Sequence, residues 1–272
     1  MSRYTVIGAG GVIGSRVVAH LRAAGADVYA PGRDDEGIWT RDLGRVFYCA
    51  GLTGDYRQRP FAAVEAHVSL LARLLESASF ERIVYLSSTR LYDALADGEG
   101  REDRPIPLDS ADPRHIYELS KALGENLALT QSRGRGAVAR IAYVFDWAEG
   151  AEGFLSDWLR AARTSRSLRL DSSPSAARDY IHLDDVAGGL RALLDSDGAQ
   201  IVNLARGEAL SNAQIAEVFA RAGWVVEFTR PAETAAPAAR CDVSRLAALG
   251  APARDVRALI AGYLDGLPAV AP

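Results

Sequence analysis

Lysine is nearly missing from this sequence. Of its 31 basic residues, 30 are arginine and one, Lys121, is lysine. Cysteine is scarce as well, with only Cys49 and Cys241. Two isolated cysteines support neither a disulfide framework nor a thiolate metal site, and they fit a reducing, cytoplasmic setting. No apolar run approaches about 18 residues, so no membrane-spanning helix is expected. The apolar stretch Tyr4–Ile7 is too short for the core of a signal peptide. A basic surplus is also lacking, and a net charge of −4 argues against a nucleic-acid binder. What is present is a globular balance, 49% hydrophobic and 24% charged, which excludes disordered and collagen-like chains. A length of 272 residues fits one large α/β domain or a domain with a smaller lobe.

Strand and helix patterns alternate over the first two thirds. Tyr4–Ile7, Asp27–Ala30, Val46–Ala50, Arg82–Ser87 and Ala137–Phe145 read as short buried strands. Between them lie helical patterns over Val12–Ala24, over Phe61–Ser77 after Pro60, and from Asp112-Pro113 to about Gln131. Such alternation predicts parallel βαβ units and a doubly wound sheet. The remainder is mixed. Gly153–Arg163 and His182–Leu194 read as helices, and Ser211 with Gln214 forms a capping box before a helix to about Ala222. Leu168–Leu170, Ile201–Leu204 and Trp224–Phe228 read as strands, and two short helical stretches follow Val243. Pro231–Ala239 reads as a surface loop.

Three motifs carry chemistry. Gly8, Gly11 and Gly14 follow the opening strand in G-x-x-G-x-x-G spacing, where tight turns bring backbone N–H groups to a pyrophosphate at a helix N-terminus. Tyr117-Glu-Leu-Ser-Lys121 sets a phenol and an ammonium four residues apart on one helix face. A nearby cation lowers a phenol's pKa and fits it for acid/base work. Ten tyrosines in 272 positions give a lone lysine roughly a 4% chance of falling there by accident. Finally, Ser87-Ser88-Thr89 closes the strand Arg82–Ser87, and open α/β sheets place ligands at the carboxyl ends of their strands. The four histidines, His20, His67, His115 and His182, share no ligand spacing and read as structural or surface residues.

These motifs occur in the order found in the extended short-chain dehydrogenase/reductases, the NAD-dependent epimerase/dehydratase family, which the chain resembles over nearly its whole length. The resemblance rests on the glycine triplet, VFYCAG (Val46–Gly51), YLSSTRLY (Tyr85–Tyr92), YELSK (Tyr117–Lys121), RDYIHLDDVA (Arg178–Ala187), VNLARG (Val202–Gly207) and DVSRLAALG (Asp242–Gly250). It implies a Rossmann-type α/β fold, a doubly wound parallel sheet with a smaller C-terminal α/β substrate lobe. Residues 1–145 would form the dinucleotide-binding core. Residues 146–272 would supply the lobe and return strands and helices to that core.

The resemblance also implies roles. Tyr117 would exchange the proton, Lys121 would bind the nicotinamide ribose, and Ser88 would hold the carbonyl or hydroxyl being converted. Ser88 is preferred to Ser87 because it stands four residues before Tyr92. Gly8, Gly11, Val12, Ile13, Gly14, Arg33, Ala50, Gly51 and Lys121 would bind the cofactor. Ser88, Thr89, Arg90, Tyr143 and Arg178 would bind substrate. The alternative for Arg178 is an internal ion pair with Asp179. His67 stands in the helix where the family often has an asparagine near the cofactor.

The chain departs from the family in several places. Only a short segment separates Pro31 from Val46, where a helix and a third strand usually wall the adenine. Arg33 near the end of the second strand suits a 2′-phosphate, which favours NADP(H) over NAD(H). Tyr143 replaces the asparagine that often meets the substrate diphosphate, and the lobe is short. Thr89-Arg90 replace the acid pair of 4,6-dehydratases, which disfavours sugar dehydration. The expectation is an NAD(P)-dependent oxidoreductase or epimerase acting on a nucleotide sugar, in the cytoplasm. Alternatives are a ketone reductase on a small substrate and a non-catalytic dinucleotide-binding regulator. The helices Phe61–Ser77 and Pro113–Gln131 resemble those of the family's dimer interface, so a homodimer is expected.

Overall fold

The computed structural model describes residues 3–198, 200–233 and 239–268. Part of the expected loop Pro231–Ala239 falls on residues 234–238, outside the described residues. The core is built from β1 (Arg3–Ile7), α1 (Val12–Ala23), β2 (Asp27–Tyr29), α2 (Gly37–Thr40) and β3 (Arg45–Tyr48), then α3 (Pro60–Val64), α4 (Leu70–Ser77) and β4 (Arg82–Ser88). Next come β5 (Glu99–Gly100), α5 (Ile116–Thr130), β6 (Gly136–Ile141) and β7 (Tyr143–Phe145). The remainder comprises α6 (Phe154–Ala161), β8 (Ser167–Leu170), β9 (Ala177–His182), α7 (Leu183–Asp195), β10 (Ile201–Leu204) and β11 (Ala209–Ser211). It ends with α8 (Asn212–Arg221), β12 (Val225–Phe228), β13 (Arg240–Cys241), α9 (Ser244–Ala248) and α10 (Val256–Asp265).

Six strands form one sheet in the order β10-β6-β4-β3-β1-β2. Every neighbouring pair is parallel. All seven residues of β4 and all six of β6 are buried. That is the signature of central strands covered on both faces, and it explains their continuous rather than alternating hydrophobicity. On one face, Val17, Val18 and Leu21 of α1 pack with Val186, Leu190 and Leu193 of α7. On the other, Ile38 of α2, Leu71 and Leu74 of α4 and Ala128 of α5 share a second cluster. The chain reverses direction between β1 and β3, and this switch point lies beside the glycine turn.

The short segment before Val46 has a structural outcome. The chain makes only the one-turn helix α2, then crosses over β1 to pair β3 with it directly. Among the described residues no strand lies outside β2, so β2 is the sheet's edge.

Two expected elements are subdivided. The helix expected over Phe61–Ser77 contains a π-helical turn, Glu65–Ser69, between α3 and α4. The strand expected over Ala137–Phe145 breaks at Ala142. β6 stays in the main sheet, whereas β7 leaves it to pair with β9. The split sends the chain into a separate apolar cluster around Trp158, Phe219, Trp224 and Ile260. β8 and β12 pair in parallel there, and β9 is flanked by β7 and β11. Arg16 of α1 bridges Asp146 and Asp184, tying the start of this segment to both helices of one face.

Candidate active site

The glycine turn is shaped by close approach. Gly8 has φ +83°, and a Cβ there would stand 2.6 Å from the Ala50 nitrogen. Any side chain at Gly14 would collide with the Gly8 carbonyl. The turn therefore presses β1, α1 and the end of β3 together, which only glycine allows. Gly11 is the N-cap of α1 and offers no side chain, so the first-turn amides beside Val12 and Ile13 lack an internal cap. Such uncapped amides fit an anionic group, and the residues present match a dinucleotide pyrophosphate. A groove of about 460 Å³ runs from Ala9 and Gly10 past Arg22 to Pro31 and Gly32. Arg33 is exposed beside it. Arg22, in the last turn of α1, was not singled out from sequence.

Helix α5 buries residues with polar side chains: Tyr117, Glu118, Ser120, Lys121 and Glu125. A polar face turned inward needs partners. The Lys121 Nζ donates to the Leu86 carbonyl at 2.8 Å and lies 5.2 Å from the Tyr85 ring centre. Burial pushes its ammonium down to about 7, while Glu125 and Cys49 pull the other way. Gly51 lies beside it, since a Cβ on Gly51 would stand 3.4 Å from Nζ and 3.5 Å from His67 Nε2. Gly51 is exposed and Ala50 half-buried, so both edge the surface next to the lysine.

Tyr117 is 3% exposed, one turn before Lys121. Burial raises its phenol above the ordinary value, opposed by the hydroxyls of Ser88 and Thr53 and by the charge of Arg90. The cation four residues on was expected to lower this phenol. Instead, burial outweighs the neighbouring charges. Ser88 ends β4, and its Oγ accepts from the Arg90 backbone N–H at 3.2 Å. Ser88 faces Tyr117, whereas the Ser87 hydroxyl is buried without a protein partner. Thr89 is buried and its hydroxyl donates to the Ile141 carbonyl, so its side chain belongs to the fold rather than to the cleft.

Three residues around Tyr117 were not found by sequence reasoning, or were underrated. His67, in the π-helical turn, meets the Tyr117 ring edge-on at 5.3 Å. Its Nε2 accepts from the Leu52 N–H at 3.1 Å, which leaves the proton on Nδ1, 2.8 Å from Ser120 Oγ. Burial pushes this imidazole down to about 3, so it stays neutral. Tyr56 lies against Tyr117 with ring centres 5.1 Å apart. Glu118 holds Arg90 through a 2.9 Å ion pair. A cleft of about 550 Å³ opens beside them, lined by Arg57, Arg90, Asp93, Leu108, Arg114 and Glu118.

Arg178 of β9 and Tyr143 meet at the start of β7, and the cleft residue Asp93 feels the charges of both Arg90 and Arg178. The guanidinium lies 5.2 Å from the Tyr143 ring centre and 4.8 Å from that of Phe154. It does not pair with Asp179, whose carboxylate accepts from the Arg206 and Gly207 N–H groups at 2.9 and 2.8 Å. One Arg178 nitrogen, Nη1, is buried without a protein partner.

Comparison with known proteins agrees with the geometry. The chain is 27% identical over 265 residues to dTDP-4-dehydrorhamnose reductase of Mycobacterium tuberculosis, covering 90% of this chain and 84% of that protein. It is 25% identical over 165 residues to the low-salt glycan biosynthesis protein Agl12 of Haloferax volcanii, spanning 58% of this chain and about half, 51%, of that one. Among solved structures, MoeE5 in complex with UDP-glucose and NAD superposes with a TM-score of 0.76 at 25% identity, over 97% of this chain and 98% of that one. The profile of the NAD dependent epimerase/dehydratase family matches residues 4–205. With its parallel sheet, glycine turn and Tyr117/Lys121 pair, the chain belongs to the NAD dependent epimerase/dehydratase family.

Proposed function

We propose that the protein catalyses hydride transfer on a nucleotide sugar, as a keto-sugar reductase or an epimerase. The observation that carries this reading is the convergence of Tyr117, Ser88 and Lys121 at the carboxyl end of β4, beside the glycine turn. A nicotinamide dinucleotide supplies the hydride donor or acceptor when bound. Gly8, Gly11 and Gly14, with the Val12 and Ile13 amides, would hold its pyrophosphate, and Ala50, Gly51 and Lys121 would border its ribose. Ser88 holds the substrate oxygen, and Tyr117 gives or takes its proton. Arg90 borders the sugar, and Arg178 with Tyr143 faces the substrate diphosphate. Arg22 lines the groove beyond the glycine turn and the exposed Arg33 follows its last lining residue, Gly32, which favours NADP(H). The relative crystallised with UDP-glucose and NAD supports a nucleotide sugar as substrate. Phe61 of α3 is 88% exposed and Leu123 of α5 is 50% exposed, an apolar pair that fits a homodimer interface.

The test combines binding and turnover. A thermal-shift panel of UDP, dTDP, GDP and CDP should give stabilisation by at least one nucleotide. Hydride exchange with the matching keto-sugar should fall about a hundredfold or more in Tyr117→Phe, the usual scale for loss of a general acid/base. Full turnover in that variant would remove Tyr117 from the mechanism. Binding of no nucleotide would favour a small ketone as substrate.

A further inference from the structure

Tyr117 has a second cationic neighbour besides Lys121. The Arg90 guanidinium lies 4.7 Å from the Tyr117 ring centre, whereas Lys121 Nζ is at 5.9 Å. Arg90 is fixed from two sides. Its Nη2 pairs with Glu118 at 2.9 Å and donates to the Tyr56 hydroxyl at 3.1 Å. It also lies 5.2 Å from the Tyr56 ring centre, so the guanidinium covers both phenol rings. Lys121, in contrast, directs its ammonium to the Leu86 carbonyl. We propose that Arg90, stacked on Tyr117 and anchored by Glu118 and Tyr56, is a positioning residue that favours the ionised form of the Tyr117 phenol.

The chemistry of the two cations divides the task. A guanidinium stays charged throughout the working pH range, but a buried ammonium does not. Lys121 releases its proton near neutrality, so its charge fades where Arg90's persists. The other groups around Tyr117 do not replace it. His67 in the π-helical turn is neutral, and Tyr85 of β4 is buried and held protonated. Ser88 and Thr53 add hydrogen bonds without charge. Glu118 opposes Arg90, and Asp93 adds a further carboxyl near the guanidinium. Arg57 acts at one remove, donating to the Tyr56 hydroxyl at 3.2 Å. Burial works against ionisation of Tyr56, yet its bonds to Arg90 and Arg57 hold that phenol below its ordinary value. The same guanidinium therefore already acts on one phenol of the pair.

This inference rests on Tyr117 being the proton-transfer group, but its test does not require turnover. The full chain is labelled with 3-fluorotyrosine, whose ring fluorine makes phenols more acidic and brings the titration into the stable range. The Tyr117 resonance is the one lost in Tyr117→Phe, and its midpoint is read by ¹⁹F NMR without cofactor. Arg90→Gln should move that midpoint to higher pH by about one pH unit, the lower end for losing a close opposite charge because Glu118 offsets part of it. Arg90→Lys should move it less, and Glu118→Gln should move it the opposite way. A packing role alone gives no such reversal of sign. An unchanged midpoint in Arg90→Gln, or the same direction in both charge removals, overturns the proposal. A shifted midpoint in a protein without hydride transfer would instead leave Arg90's effect standing and remove the proposed function.

Discussion

Lys121 is a buried ammonium, 5% exposed, and its environment has a measurable consequence. In the unfolded chain it keeps its proton to about 10.5, whereas in the fold it gives it up near 7. Between these values the unfolded chain holds more protons, so folding stability gains from this residue as pH rises from about 7 to about 10.5. Below 7 the fold carries the full burden of the buried charge. Lys121→Met should therefore melt above the parent protein at pH 6, with the difference closing toward pH 10. Equal melting temperatures at both pH values would show that the ammonium is solvated after all. Lys121→Arg tests function instead. It keeps the charge but offers a planar fork in place of a compact, rotatable donor, and it should lose most dinucleotide affinity in a binding titration. The Tyr117/Lys121 pair was legible because both partners lie one turn apart on one helix. His67 stood out only through the family resemblance, and Tyr56 and Glu118 not at all, because what brings them together is contact across the fold. His67 reaches Ser120 over 53 positions, and Arg90 reaches Tyr56 over 34. No local pattern encodes such meetings.

Strands and helices show the same division. β1, β4 and α5 could be read from periodicity, because each is a run whose burial follows its own geometry. The π-helical turn at Glu65–Ser69 and the break at Ala142 could not. Both depend on what the neighbouring elements require: a histidine turned toward Tyr117, and a strand diverted to β9. The elements around the site are also tied by a polar network without local signature. Arg140 of β6 pairs in two-pronged fashion with Glu125 of α5, at 2.8 and 2.7 Å. Its Nη1 donates to the Tyr92 hydroxyl at 2.9 Å, which in turn donates to Asn203 of β10 at 2.8 Å. Both members of the ion pair are buried. Arg140→Met should destabilise the protein by about 3–5 kcal/mol in urea unfolding, because it strands a buried carboxylate. Removing both charges in Arg140→Met/Glu125→Leu should recover much of that loss. A double variant as unstable as the sum of its singles would mean that the two buried charges are not coupled.

The whole molecule is built on one six-stranded parallel sheet. Its parallel sheet keeps the switch point and the face that positions Tyr117, and the separate apolar cluster around Trp158 adds the surface with Arg178. That much followed from the order of motifs. Among the described residues no strand lies outside β2, in keeping with the short segment between Pro31 and Val46. At this scale the exposed pair Phe61 and Leu123 predicts association. Phe61→Asp should shift light-scattering mass from dimer to monomer while the circular dichroism spectrum stays unchanged. A parent protein already monomeric at micromolar concentration would remove the dimer.

The edge at β2 also bears on how such a protein can change. Its outer row of backbone groups has no strand partner among the described residues, a condition that invites pairing between molecules. Three features blunt it. The strand is three residues long, Arg3 pairs with Asp27 at its start, and the Arg41 guanidinium covers the Tyr29 ring at 5.0 Å. Yet an insert between Pro31 and Gly37 could dock a further strand there without breaking one existing sheet bond. The edge is thus a point of growth, where chain can be added while the main sheet and the cluster around Tyr117 keep their footing.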